Sequence, residues 1–275
     1  MGSVDLHIHT KISDGQYSVK DMIKMIIEYG ITFFSFTDHD TIKQCQEMKQ
    51  IKLPENINYI DGIELSAHID GIKCHILGYN IDYENENLQE LCRNIKLRKL
   101  KKIKDIITNI QLKHNIEIPN NMLNELLQKD KPIGRTDLCN LLIQLNYGTK
   151  KEIFEKYLCD DVGNSNSRIE AETIIESIKK AGGQAILAHP KEIEEDYKNI
   201  NIEQIMLKLM NIGLDGIEVY NSIHSLNDVK RYLLFAQKNN LLWTGGSDYH
   251  GNQKPNILGT TTVEKRKIKR SDIRI

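Results

Sequence analysis

No uncharged apolar run in this 275-residue chain approaches the ~18 residues a membrane span needs, so no membrane association is expected. The N-terminus lacks the basic, apolar and small-residue segments of a targeting signal, and the cytoplasm is the expected compartment. Cysteine is scarce and unpatterned. Cys45, Cys74, Cys92, Cys139 and Cys159 form no CxxC pair and are odd in number. That excludes a disulfide framework and a thiolate zinc site. An excess of one charge is also missing: 37 Lys and Arg stand against 38 Asp and Glu, a formal net charge of -1. A globally basic nucleic-acid coat and an acidic disordered tail are both excluded, while local patches remain open. Repeats and low-complexity tracts are absent.

What is present is an alternation of strand and helix, interrupted once. Val4–His9 reads as a strand, and Ser18 begins a helical run to Tyr29 with Asp21 as capping partner and Gly30 at the stop. Thr32–Thr37 is an aromatic strand, and Thr41–Lys52 reads as a helix. Asn58–Leu65 and Lys73–Tyr79 read as strands joined by a hairpin around Asp70-Gly71. From residue 84 to 158 only helical patterns occur. The longest, Leu88 to about Lys113, spaces Leu91, Ile95, Leu100, Ile103, Ile107 and Ile110 mostly three or four apart. Its other side is basic, with seven Lys or Arg between Arg93 and Lys104. Alternation then resumes, with strands at Gln184–His189, Gly216–Tyr220 and Leu242–Gly246 separated by helices. Seven core strands with helical crossovers predict a parallel α/β barrel or sheet. The expected domains are 1–83 with 168–275, and a helical insertion over 84–167.

The chemistry-bearing residues gather where strands end. They are His7 and His9, then Asp14; Asp38, His39 and Asp40; Glu64; His75; His189; Glu218 and Asn221; Asp248 and His250. Six of the nine histidines belong to this set. In α/β folds the carboxyl ends of strands are where sites are built. Residues two apart on a strand face the same side, so His7 and His9 can offer two imidazoles to one ion. If the first and last strands are neighbours, Asp248 and His250 would join them. His and carboxylate donors without cysteine suit Zn, Mn or Fe, and the donors exceed what one ion can take. An isolated HxH is more often packing than a site; here it recurs in step with TDHD, GIE, AHP and SDYHG. Asp38 and Asp40 flank His39 and should point away from it, as caps or supporting carboxylates. Glu218 stands open between a structural and a site role. His68, His114 and His224 read as surface or capping residues.

The segments DLHIHTKISDG, FTDHDTI, IDGIELS, HILGYNID, AGGQAILAHP, DGIEVYN and GGSDYHG follow one another in order. Together they resemble the PHP (polymerase and histidinol phosphatase) superfamily of metal-dependent phosphoesterases, from Val4 to about Gly259. The stand-alone 3′,5′-nucleotide bisphosphate phosphatases and 5′-to-3′ RNA exonucleases are the most similar branch. The resemblance implies a distorted (β/α)7 barrel with a helical insertion domain and a site for two or three divalent transition-metal ions. One ion would take His7, His9, Glu64 and Asp248; a second, Glu64, His75 and His189; a third, Asp14, His39 and His250. Glu64 would bridge the first two, and Glu64, Asp248 and His189 would carry catalysis. Asp14 stands where some relatives have His, and its harder oxygen favours Mn or Fe over Zn. In the insertion, Gly134-Arg135 matches the family's Gly-Arg, and Arg135 is expected to clamp a substrate phosphate. Asp137 stands where the family has His, and Asp160–Ser167 departs from the usual apolar-aromatic sequence.

The expected activity is hydrolysis of phosphate monoesters by a metal-activated hydroxide. The expected substrate is a small phosphorylated nucleotide such as a 3′,5′-bisphosphate, extending to short RNA, with no obligate protein partner evident. A histidinol-phosphate-type phosphatase and a non-catalytic regulatory metal module are the rival readings.

Overall fold

The protein is described here by a computed structural model covering residues 2–159, 168–252 and 254–275; Asp160–Ser167 lies outside these. Strands β1 (Ser3–Ile8), β2 (Ile31–Phe36) and β3 (Asn58–Tyr59) form a parallel sheet in that order. A second sheet contains β4 (Gly62–Ile69), β5 (Ile72–Tyr79), β6 (Gln184–Leu187), β7 (Gly216–Asn221) and β8 (Leu242–Gly246), also in sequence order. The β4–β5 pair is a hairpin turned at Asp70 and Gly71, both at positive φ. Because the hairpin reverses the chain, β5 is antiparallel to β6 as well, while β6–β7 and β7–β8 are parallel.

The mixed α/β class expected from the alternation holds, and two details differ. The segment expected as one strand, Asn58–Leu65, breaks at Ile60-Asp61 and leaves one sheet for the other, giving eight strands. Gly62 passes so close to the first sheet that a Cβ there would lie 2.2 Å from Ser35 Oγ. The strands also make two sheets, and among the described residues no continuous ladder closes them into a barrel. The sheets meet at single bridges, Ile8 with Tyr249 and His39 with Glu64. His9 N–H donates to Tyr249 O (2.9 Å) and Asp40 N–H to Glu64 O (2.8 Å). Both junctions lie beside candidate ligands.

Helix α1 (Val19–Glu28) is capped by Ser18 and buries Val19, Met22 and Ile26, which join Ile8, Phe34 and Phe36 in one core. Helix α2 is shorter than the expected Thr41–Lys52: it spans Lys43–Met48, and its N-cap, Ile42, has no side chain able to accept a hydrogen bond. The chain divides into two compact units, Met1–Gln89 with Ile169–Ile275, and Glu90–Arg168. Helix α3 (Glu86–His114) leads into the second, where α4 (Asn120–Leu127), α5 (Arg135–Gln144) and α6 (Lys150–Lys156) follow. The apolar stripe of α3 supplies Ile103, Ile107 and Ile110 to a core shared with Leu126, Leu138, Leu142 and Ile153. Helices α7 (Ala171–Lys180), α8 (Pro190–Asp196), α9 (Ile202–Asn211) and α10 (Leu226–Lys238) return to the sheet-bearing unit. Among the described residues no helix is long and apolar enough to cross a membrane.

Candidate metal centre

Strand periodicity places Asp5, His7 and His9 on one side of β1 and its extension. Asp5 is fully buried and anchors the neighbouring chain: its carboxylate accepts from Ser247 N–H and Gly259 N–H, both at 2.8 Å. Strand β8 can approach because position 246 is glycine, where a Cβ would fall 2.2 Å from His7 Cβ. Three non-glycine residues among or next to the candidate ligands have positive φ: Asp40 (56°), His189 (23°) and Asp248 (52°). Such backbone costs free energy and is held by its surroundings.

All nine candidate ligands lie in the sheet-bearing unit, and five of the histidines face the Glu64 carboxylate. Its Oε2 faces His39 Nδ1 (3.0 Å), His9 Nε2 (3.2 Å) and His7 Nε2 (3.4 Å). Its Oε1 faces His75 Nδ1 and His189 Nε2, both at 3.0 Å. Asp248 Oδ1 lies 3.1 Å from His9 Nε2 and 3.4 Å from His7 Nε2. Asp14 Oδ1 lies 3.3 Å from His250 Nε2 and 3.5 Å from His9 Nδ1, and Asp14 Oδ2 is 3.9 Å from His39 Nε2. His7, His9 and Glu64 are fully buried, whereas 41% of the Asp14 side chain is exposed. The cluster therefore opens to solvent on the Asp14 side.

This donor set fits metal ions. His9 Nδ1, His39 Nδ1, Glu64 Oε2, His75 Nε2 and His250 Nε2 are buried yet make no well-directed hydrogen bond. So many orphaned polar atoms in one place are costly unless an ion satisfies them. Electrostatics keep the carboxylates ionised. Burial pushes Glu64 up, but His39, His75 and His7 hold it well below the usual range. Asp248 is likewise held low against burial, by Lys254, His250 and His7. Burial opposes charging the imidazoles, yet Asp248 and Glu64 lift His9 to about 9, and Glu192 and Glu64 lift His189 to about 10. In His39 burial prevails and lowers the value to about 3.

A second ring of carboxylates orients these groups. Glu218, which the sequence left open, serves two ligands: Oε1 lies 3.0 Å from His7 Nδ1, and Oε2 accepts from His189 N–H at 2.8 Å. Asn221 Nδ2 donates to the same Oε2 at 2.9 Å. Such partners fix ring orientation and ligand basicity. Asp38 accepts from the N–H and hydroxyl of both Thr10 and Ser13, and Asp40 from those of Ser66. Sequence reasoning missed two residues. Glu192 Oε2 lies 2.7 Å from His189 Nδ1, a placement that the i,i+3 spacing on α8 allows. Lys254 Nζ lies 2.7 Å from Asp248 Oδ2, in a loop with no periodicity to announce it.

Arg135 is the first residue of α5, in the helical unit, and is not part of the cluster. Asp137 caps the same helix, accepting from Gly134 N–H at 3.1 Å, and is paired with Lys129 and Lys131 at 3.3 Å each. Its charge is neutralised locally. His114 is exposed and His68 half-buried, but His224 departs from the surface reading. It is fully buried, its Nδ1 2.8 Å from Val219 O and its ring edge-on to Tyr232.

Comparison with known proteins agrees with this geometry. A 3′,5′-nucleoside bisphosphate phosphatase of Chromobacterium violaceum is 27% identical over 91% of this chain and 88% of its own. A phosphoribosyl 1,2-cyclic phosphate 1,2-diphosphodiesterase of Eggerthella lenta is 26% identical, over 90% and 94%. A 5′-3′ exoribonuclease of Haemophilus influenzae is 26% identical, over 90% and 89%. Among solved structures, an amidohydrolase from Chromobacterium violaceum with bound sulfate and no metal superposes with a TM-score of 0.77 at 25% identity. That match covers 91% of this chain and 88% of the other. The PHP domain profile matches residues 5–185, well over half of the sequence. The chain belongs to the PHP domain family.

Proposed function

We propose that this enzyme hydrolyses phosphate monoesters of nucleotides, with 3′,5′-bisphosphorylated nucleotides as the best substrates and short RNA 5′ ends next. It is a metal-dependent phosphoesterase of its family, and the gathering of five histidines on Glu64 within a nine-residue cluster carries the reading. Two or three divalent ions, Mn, Fe or Zn, would be held by His7, His9, Asp14, His39, Glu64, His75, His189, Asp248 and His250. Bound there, they supply a water of lowered pKa and neutralise phosphate charge. The chain's own groups do the rest. Glu64 turns one oxygen toward each of two donor groups, as a bridging ligand must. Glu218 and Glu192 hold His189, and Asp248 keeps one oxygen toward His7 and His9.

The choice of substrate rests on charge. A second phosphate needs a cation apart from the metal cluster, and Arg135 is the candidate. The pairing of Asp137 with Lys129 and Lys131 removes the repulsion that its carboxylate would otherwise exert. The three relatives act on different ribose phosphate esters at nearly equal identity, so identity alone does not choose among them. A panel assay with Mn-loaded protein tests the proposal. It should compare a 3′,5′-bisphosphate nucleotide, a mononucleotide, histidinol phosphate, a cyclic phosphodiester and short 5′-phosphorylated RNA. The bisphosphate should give the highest kcat/KM; equal or better turnover of the mononucleotide or histidinol phosphate would reject it.

A further inference from the structure

We propose that Lys254 binds the phosphate undergoing cleavage, acting as a substrate-positioning residue at the mouth of the metal centre. The inference rests on the phosphoesterase reading above and adds a residue to it. Asp248 divides its two oxygens. Oδ1 faces the imidazoles of His7 and His9, and Oδ2 takes the Lys254 ammonium at 2.7 Å. Lys254 therefore stands on the outer side of a ligand, not among the ligands. The Asp248 side chain is 13% exposed and that of Lys254 is 43% exposed, so the ammonium sits where the buried cluster meets solvent.

The loop carrying Lys254 is tied down on both sides. Asn252 N–H donates to Gln16 Oε1 at 2.8 Å, and Asn256 Nδ2 donates to the backbone oxygen of Asp248 at 3.0 Å. The residues flanking the lysine are thus anchored by hydrogen bonds that do not depend on its own charge. An ammonium carries three N–H donors, and Asp248 accepts one. Two remain for an incoming group. That group must be anionic, because a neutral ligand would gain little from an ammonium. It must also approach from the exposed side, where Asp14 opens the cluster. A phosphate ester, the anion that the proposed reaction brings to the cluster, meets both conditions. Holding Asp248 alone would account for one donor and would not require the exposure.

The test uses the full-length protein loaded with Mn, and inorganic phosphate as probe. Binding of phosphate is measured by calorimetry and as competitive inhibition of turnover, beside Mn content by elemental analysis. Lys254→Met should weaken phosphate binding and raise KM by about 10- to 100-fold, the usual weight of a charge-assisted hydrogen bond. Mn content should stay at the wild-type value, and kcat should fall less than kcat/KM. Lys254→Arg should recover most of the phosphate affinity. Unchanged phosphate affinity in Lys254→Met overturns the proposal. So does a loss of affinity that merely follows a loss of Mn, because Lys254 would then only hold Asp248. A wild-type protein that binds phosphate but hydrolyses no ester would defeat the phosphoesterase reading while leaving the binding comparison valid.

Discussion

The two units of this chain differ in charge as much as in structure. The sheet-bearing unit, Met1–Gln89 with Ile169–Ile275, holds 22 Lys and Arg against 28 Asp and Glu. The helical unit, Glu90–Arg168, holds 15 against 10. A near-neutral total therefore conceals one acidic and one basic body. The acidic body buries carboxylates among imidazoles, an arrangement that ions would stabilise. The basic body carries its charge outside an apolar core built from α3 to α6. The lesson is that net charge over a whole chain is a poor guide when acidic and basic residues are concentrated in separate segments.

The comparison breaks most sharply at Glu64. Glu64→Gln keeps the shape but removes the negative charge and replaces one of the two oxygens with an amide nitrogen that cannot ligate a cation. Turnover on the best substrate should fall more than about 100-fold, since losing even an orienting partner of a ligand costs ~10- to 100-fold. Near-normal turnover would show that the acidic body does not do the chemistry. Arg135→Ala probes the basic body instead. It should lower kcat/KM about 10- to 100-fold while metal content stays constant. An unchanged kcat/KM would reduce Arg135 to a helix residue.

A smaller effect separates ligand from support. Glu218→Gln retains an acceptor for His189 N–H but loses the charge facing His7 Nδ1. Metal affinity should drop about tenfold, the low end for such partners. A chelator competition that finds no change would show Glu218 to be structural only. The last expectation concerns pH. His9 and His189, lifted to about 9 and about 10 in the metal-free protein, must shed protons before they can ligate. Metal affinity should thus rise from pH 7 to pH 8, by about tenfold for each proton displaced. A flat chelator-competition profile would contradict the protonated state of these rings.

Much of the site was legible because strand geometry is short-ranged and regular. The His7–His9 spacing and the run of chemistry-bearing residues after strands announced a cluster before any coordinates. What stayed hidden depended on contacts between distant segments. Glu218 meets His7 across 211 positions of sequence, and no local pattern reports that. Lys254 lies in an irregular loop, and no local pattern reports its contact with Asp248. His224 looked like a surface residue because polarity suggests exposure, yet the backbone oxygen of Val219 satisfies its Nδ1 in the interior. The fold was readable by class but not by closure. The hairpin at Asp70-Gly71 was visible, whereas the break at Ile60-Asp61 and the antiparallel β5–β6 pairing were not. Local propensity does not encode which sheet a strand joins.

The central claim is that Glu64 joins two ion sites within a nine-donor cluster. Counting Mn per chain in wild type and Glu64→Gln, reconstituted side by side and analysed by elemental mass spectrometry, tests it most directly. The account predicts two to three ions in the wild type and at most one in the variant, with the helical unit still folded. Fewer than one ion in the wild type, or the same count in both proteins, would contradict it.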